Sequence, residues 1–144
     1  MSRHNNISIQ VADVDADLIR KLEHMVFQDS RSTKEKCSRI KHQQPLFLIA
    51  YAGERAVGFK LGYMLDEDTF YSWLGGVNKA FRRQGIAQCL LEKQEAILKQ
   101  KKVGLISFKT YPKFKEMIQL GIKNGYTQSK RKTDDGALWF EKPL

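Results

Sequence analysis

The stretch Asn78–Lys93, NKAFRRQGIAQCLLEK, changes character three times in sixteen residues. It leaves an apolar segment, passes the paired Arg82 and Arg83, turns on Gly85 with Ala87 two residues later, and becomes an amphipathic helix. A helix start carries N–H groups without intrahelical partners, at the positive end of the helix dipole. Small residues there let an anion reach the main chain, and arginines add charged donors. The six residues Arg82–Ala87 also fit an ordinary strand-to-helix turn with solvated arginines. Their surroundings decide between the two.

Upstream, Ile7–Val11 alternates apolar and polar residues as a short strand does. Asp13 and Asp15 are candidate caps for a helix whose apolar face is Leu18, Ile19, Leu22, Met25 and Val26. The polar segment Gln28–Gln44 holds a second short helix starting near Ser32 or Thr33. Leu46–Tyr51 and Ala56–Met64 are strands joined across the Gly-containing loop Ala52–Arg55, and Asp66–Asp68 turns into a third strand, Phe70–Val77. The helix of the opening stretch runs to about Lys102, with Ile86, Leu90, Ile97 and Leu98 inward. Val103–Phe108 reads as a buried strand. Pro112 starts a helix with Phe114, Met117, Ile118, Gly121 and Ile122 on its apolar face, ended by Asn124-Gly125. A last hairpin has Lys130–Gly136 as loop and Ala137–Phe140 as return strand.

The order is β-α-α-β-β-β-α-β-α-β-β. Short connections make three consecutive strands an antiparallel meander, and the β-α-β step from Phe70 to Phe108 requires a parallel crossover. The expected fold is mixed α/β (α+β), one domain over residues 1–144, with helices on both faces of the sheet.

With 144 residues, 42% hydrophobic and 28% charged, the chain has the composition of a globular domain with a sizeable core. A formal charge of +9 points to anionic partners. The polar start MSRHNN and an apolar run no longer than Leu46–Ala52 predict no membrane segment and a cytoplasmic location. Two cysteines, Cys37 and Cys89, and three histidines without ligand spacing predict neither disulfide scaffold nor metal site. Asp66, Glu67 and Asp68 read as a solvated turn.

In this setting, Arg82, Gly85 and Ala87 match the Arg/Gln-x-x-Gly-x-Gly/Ala motif, and the chain resembles the GNAT superfamily of acyl-CoA-dependent N-acyltransferases. Val77 stands at that family's preceding valine, and the element order agrees along nearly the whole chain, down to Gly125-Tyr126 after the last helix. The resemblance implies a sheet splayed between its fourth and fifth strands, with acetyl-CoA as co-substrate. Main-chain groups of Leu74, Gly75, Gly76 and Val77 would line the pantetheine arm, and Arg82, Arg83, Gln84, Gly85, Ile86 and Ala87 would hold the pyrophosphate. Gly75-Gly76 suits a close approach to a strand, and equally suits a bulge. Lys113 and Lys115 are candidates for the 3′-phosphate.

The catalytic positions depart from the pattern. A lysine amine has a pKa of about 10.4, so deprotonating it near pH 7.4 requires about 4 kcal/mol from a base or from desolvation. Where some members carry a glutamate base this chain has Tyr71; where many have a tyrosine acid and an asparagine it has Gly121 and Phe114. Tyr71 and, at the end of the fifth strand, Tyr111 are the candidate catalytic residues. The resulting expectation is acetyl transfer to a primary amine by direct attack in a ternary complex, with a backbone N–H of the fourth strand, Val77 first, facing the developing oxyanion. The basic surroundings favour a small-molecule or peptide acceptor bearing an anionic group. A homodimer is compatible with the sequence. The alternatives are a basic nucleic-acid-binding protein, disfavoured because the cations are spread and no motif is present, and a catalytically silent CoA-binding regulator.

Overall fold

A computed structural model describes residues 6–144; the polar start and His4 lie outside the described residues. Seven strands form one sheet, β1 (Ile7–Ala12), β2 (Leu46–Ala52), β3 (Arg55–Met64), β4 (Thr69–Val77), β5 (Leu105–Thr110), β6 (Thr127–Lys132) and β7 (Leu138–Pro143), in the order β1-β2-β3-β4-β5-β7-β6. Four helices cover it: α1 (Ala16–Phe27), α2 (Lys34–Ile40), α3 (Ile86–Gln100) and α4 (Lys115–Lys123). The meander β2-β3-β4 is antiparallel as expected, and β4 and β5 are parallel.

Strand β2 shows why the sheet needs helices on both sides. Leu46, Leu48 and Ala50 enter a core cluster under α3, while Phe47 and Ile49 enter a second one under α1 and α2. An apolar residue at every position is the mark of a strand buried on both faces. The Asp15 carboxylate accepts from the N–H groups of Asp17 and Leu18 at 2.9 and 3.1 Å, fixing the start of α1 there rather than at Asp13. Thr33 caps α2 through the Lys36 N–H at 3.0 Å.

Three boundaries differ from the sequence reading. Helix α3 ends at Gln100: Lys102 adopts a left-handed φ of 61°, and Val103 N–H reaches back to the Leu98 carbonyl at 3.0 Å, a Schellman closure without glycine. Pro112 lies in a turn closed by Phe114 N–H to the Tyr111 carbonyl, so α4 starts at Lys115; Phe114 and Ile122 are 40% and 60% exposed rather than inward. The Lys130–Lys132 segment belongs to β6, and the hairpin loop is shorter, braced by Thr133 and Asp135, whose side chains bond each other and the Ala137 N–H. Its return strand extends to Pro143 because it pairs with β5 along its whole length.

Candidate active site

The parallel pairing of β4 with β5 covers only Thr69–Ser72 against Leu105–Phe108. Beyond Ser72, β4 has a ladder on its β3 side alone. Asn78 donates to the Val57 carbonyl at 2.7 Å. By antiparallel alternation, Gly76 and Leu74 then bond toward β3, while Val77 and Gly75 turn their N–H and C=O groups into the opening. An Arg82 Nε–H takes the Val77 carbonyl at 3.0 Å. The N–H groups of Gly75 and Val77 have no ladder partner among the described strands.

The glycines here answer first to the protein's own packing. The irregularity in the β3–β4 register falls at Trp73, before the glycine pair. A Cβ at Gly76 would lie 2.4 Å from Val26 of α1, and one at Gly75 would lie 3.0 Å from the Phe59 carbonyl. Gly76 lets α1 come down onto β4, a tighter reason than ligand approach.

At the end of β4, Asn78 accepts from Ala80 N–H at 2.9 Å and donates to the Met25 carbonyl at 3.2 Å, tying the turn to α1. A 3₁₀ turn, Lys79–Phe81, follows. Arg83 and Gly85 take left-handed φ values of 63° and 81°. Gly85 is the N-cap of α3 and offers no side chain, so the N–H groups of Ile86, Ala87 and Gln88 have no capping acceptor; the helix's first bond runs from Cys89 N–H to the Gly85 carbonyl. Ile86 is buried and anchors the turn, whereas Arg82, Arg83, Gly85 and Ala87 are exposed. An uncapped helix start next to an unpaired strand edge is suited to a long ligand with a phosphate group at one end.

Tyr71 lies on the opposite face of β4, the one under α1 and α2, within an aromatic cluster. Its ring is 5.6 Å from Tyr63 and 5.4 Å from Trp139, and Trp73 stands 6.1 Å from Tyr63. Burial pushes the Tyr71 hydroxyl up to about 12, so at neutral pH it is a proton donor and not a base. Three cations border the cluster: Lys36 bonds the Tyr63 hydroxyl at 2.7 Å, and Arg131 and Lys109 lie 3.9 and 5.9 Å from the Trp139 ring. The Trp139 indole N–H is buried without an acceptor, beside a cavity of about 190 Å³ shared with Ser107, Ser129, Arg131 and Glu141. Sequence reasoning did not assemble this cluster, because its aromatic members come from three strands and its cations from three further elements.

Tyr111 stands on the β5–α4 turn, near enough to Tyr71 to help raise that hydroxyl. Its hydroxyl donates to Asp135 at 2.7 Å, which raises its own pKa, while hydrogen bonds from Thr133 and Tyr111 hold the Asp135 carboxyl low. With Arg31, Pro112, Lys113 and Phe114 it lines a groove of about 530 Å³ between the α1–α2 loop and the β5–α4 turn. Gly121, at the place of the family's tyrosine, cannot carry one: a Cβ there would lie 2.7 Å from the Phe108 ring. Among the described residues no group of three or more His, Cys, Asp or Glu stands together to hold a metal, and no helix is long and apolar enough to cross a membrane.

Glu23 and Lys60 are among the inward polar residues that escaped the sequence reading. Glu23 of α1 is fully buried and serves the loop before α2. Lys60 interrupts the apolar run of β3 on the α3 side, and burial lowers its pKa from 10.5 to about 8, with Glu95 opposing. The sign of the linkage follows. Below pH 8 the folded protein carries the cost of a partly desolvated ammonium, and between 8 and 10.5 the unfolded chain binds more protons than the folded one, so stability rises with pH across that window. Lys60→Met is therefore expected to exceed the wild type in stability at neutral pH, with the gap closing by about pH 10.5; urea unfolding at several pH values measures it.

A family model described as the acetyltransferase (GNAT) family matches residues 15–122. The chain belongs to that family. No curated protein matches it in sequence. Among solved structures it is similar to the ribosomal-protein-S18-alanine N-acetyltransferase of Escherichia coli (16% identity, 96% of this chain and 94% of that one, TM-score 0.80). It is also similar to a GNAT family acetyltransferase of Elizabethkingia anophelis with acetyl-CoA bound (16%, 97% and 99%, TM-score 0.77). A third is the PaiA N-acetyltransferase of Thermoplasma acidophilum in complex with coenzyme A (15%, 95% and 99%, TM-score 0.70). At these identities the likeness is one of fold.

Proposed function

We propose that the chain is a cytoplasmic N-acetyltransferase that moves acetyl from acetyl-CoA to a primary amine by direct attack in a ternary complex. The observation that carries this is the juxtaposition just described: β4 loses its β5 partner after Ser72, and the strand edge so exposed leads into the uncapped start of α3. Residues Leu74–Val77 would run beside the pantetheine arm, with Gly75 and Val77 supplying main-chain bonds. The N–H groups of the Gly85–Ala87 turn, with Arg83 and Gln84, would hold the pyrophosphate, and Arg82 braces the junction through the Val77 carbonyl. When bound, the thioester supplies the activated acyl group. The N–H of Val77 would face negative charge on the acyl oxygen. Tyr71, protonated at neutral pH, orients the acceptor nitrogen through a hydrogen bond; it does not abstract its proton.

The acceptor side supports an amine that also carries an anionic group. Lys36, Lys109 and Arg131 stand against aromatic rings and form no carboxylate pair within 4.0 Å among the described residues. Cations over flat aromatic walls suit a carboxylate whose carbon skeleton packs on the rings. In assays of amines bearing a free carboxylate against their amidated counterparts, the acids are expected to be the better acceptors. Arg131→Met should raise the acceptor KM about tenfold, a loss of about 1.4 kcal/mol, and leave that for acetyl-CoA unchanged. Equal use of acids and amides would remove the anionic acceptor. Tight CoA binding without turnover over the whole panel would instead establish a silent regulator.

A further inference from the structure

Acyl transfer from a thioester leaves a sulfur that must end as a thiol, and the place for a tyrosine acid is closed by Phe108. On the same face of the sheet as α4 there is another proton carrier. Lys60 pairs directly with Gly75 across the β3–β4 ladder, in the non-hydrogen-bonded class of pair that brings side chains closest. Its Cγ lies 3.5 Å from where a Gly75 Cβ would be, so the side chain sets out beside the residue whose main chain faces the opening. From α3, Gln94 donates to Ser72 of β4 at 3.4 Å and leaves its own buried carbonyl oxygen without a partner. Glu95 stands next to it, engaged by Tyr126 at 2.9 Å and Lys142 at 2.8 Å. Lys60 itself forms no ion pair or side-chain hydrogen bond with any described residue. A half-buried ammonium without a partner, beside an opening in the sheet, is costly to keep for stability alone.

We propose that Lys60 is the acid of the reaction, its ammonium meeting the departing sulfur where the sheet opens at Gly75. This rests on the acetyl-CoA reading above. As the acceptor nitrogen forms its bond to the acyl carbon and the carbon–sulfur bond breaks, the sulfur keeps the bonding electron pair and Lys60 gives it a proton. The nitrogen loses its surplus proton to water, and Lys60 is left a neutral amine that solvent re-protonates. No other reactant enters. The lowered pKa of Lys60 fits the role, since it brings the ammonium close to an alkyl thiol at about 8.5. Glu95, already shared between Lys142 and Tyr126, is the only charged group of α3 among those that set this pKa.

The binding and thiol measurements use free CoA and need no acceptor; acetyl transfer is read with the best acceptor of the amine panel above. Calorimetry first gives CoA affinity for the wild type, Lys60→Met and Lys60→Arg. The thiol of the bound CoA is then titrated by its ultraviolet thiolate absorbance. In the wild type it is expected to ionise at least about one pH unit below free CoA, a tenfold or greater change in the acid constant. In Lys60→Met it should return to the free value, and Lys60→Gln provides a second neutral replacement. Lys60→Arg should keep the depressed thiol, because guanidinium stays charged, yet lose about tenfold or more in acetyl transfer, because it does not release its proton. If wild type and Lys60→Met bind CoA and show the same thiol titration, the proposal is wrong. Wild-type turnover by Lys60→Arg would equally rule out the proton transfer. Failure of the wild type to bind CoA would overturn the cofactor reading itself, a separate result from either.

Discussion

Replacing Gly85 by valine is expected to abolish stabilisation by acetyl-CoA while leaving the protein folded. Gly85 sits at φ 81°, a conformation a β-branched residue resists, and it is exposed at the first turn of α3. The strain costs about 1–3 kcal/mol, within the 5–15 kcal/mol typical of a domain. The larger effect is on binding: a branched side chain at the cap covers the N–H groups of Ile86–Gln88, for which the helix provides no other acceptor. At 100 times its dissociation constant acetyl-CoA should stabilise the wild type by about 2.7 kcal/mol, and a hundredfold loss of affinity would reduce this to about 0.4 kcal/mol. Gly85→Asn separates the two causes, since asparagine tolerates the left-handed conformation and carries a smaller side chain. It should fold like the wild type and bind with an intermediate loss. A full acetyl-CoA shift in Gly85→Val would show that the phosphates lie elsewhere.

The sheet was legible in the sequence because its signals are local. Apolar runs of strand length, an Asp or Thr ahead of each early helix and Gly125 after the last one are read within a few residues of where they act. The boundaries that moved depend on contacts between distant parts. Lys102 accepts a left-handed turn because Val103 can close on Leu98 inside the core, and no glycine marks the spot. The Lys130–Lys132 segment is charged like a loop, yet it is an edge strand, where one side of the backbone has only solvent to satisfy it and cations discourage further pairing.

The same distinction runs through the site. The turn at Arg82–Ala87 is contiguous and announces itself. The face of β4 that would receive an acceptor is assembled from α2, β3, β4, β6 and β7, and no spacing in the chain relates Lys36 to Tyr63 or Arg131 to Trp139. Lys60 left a trace, a charge in an inward register of an otherwise apolar strand, although the cost of that position appears only when α3 closes over it. Gly76 was legible as a special position, and packing adds a cause that the sequence does not show. Its missing side chain makes room for Val26 of α1.

The α1–α2 loop depends on Glu23, and Glu23→Ala is expected to cost about 3–5 kcal/mol of stability. The carboxylate is buried on the inner side of α1 and accepts from the N–H of Arg31 at 2.8 Å, from the N–H of Ser32 at 3.1 Å and from the Ser32 hydroxyl, with Ser30 at 3.4 Å. Truncation leaves these donors facing a cavity. Each buried donor deprived of its acceptor costs about 1–3 kcal/mol, and only part of the loop can turn outward to recover bonds with water. Glu23→Gln keeps the shape and one carbonyl oxygen but presents an N–H₂ to at least one backbone donor, so a smaller loss of about 1–2 kcal/mol is expected. Urea unfolding measures both. The loop carries Arg31, stacked 4.1 Å over Phe27, and leads into α2 with Lys36 on the aromatic wall. Loosening it should therefore raise the acceptor KM and leave the acetyl-CoA shift, which depends on α3 and β4, in place. A Glu23→Ala protein as stable as the wild type would mean that the loop finds other acceptors, and an equal loss of acetyl-CoA binding would mean that the acceptor loop and the cofactor cleft are not separable as the geometry places them.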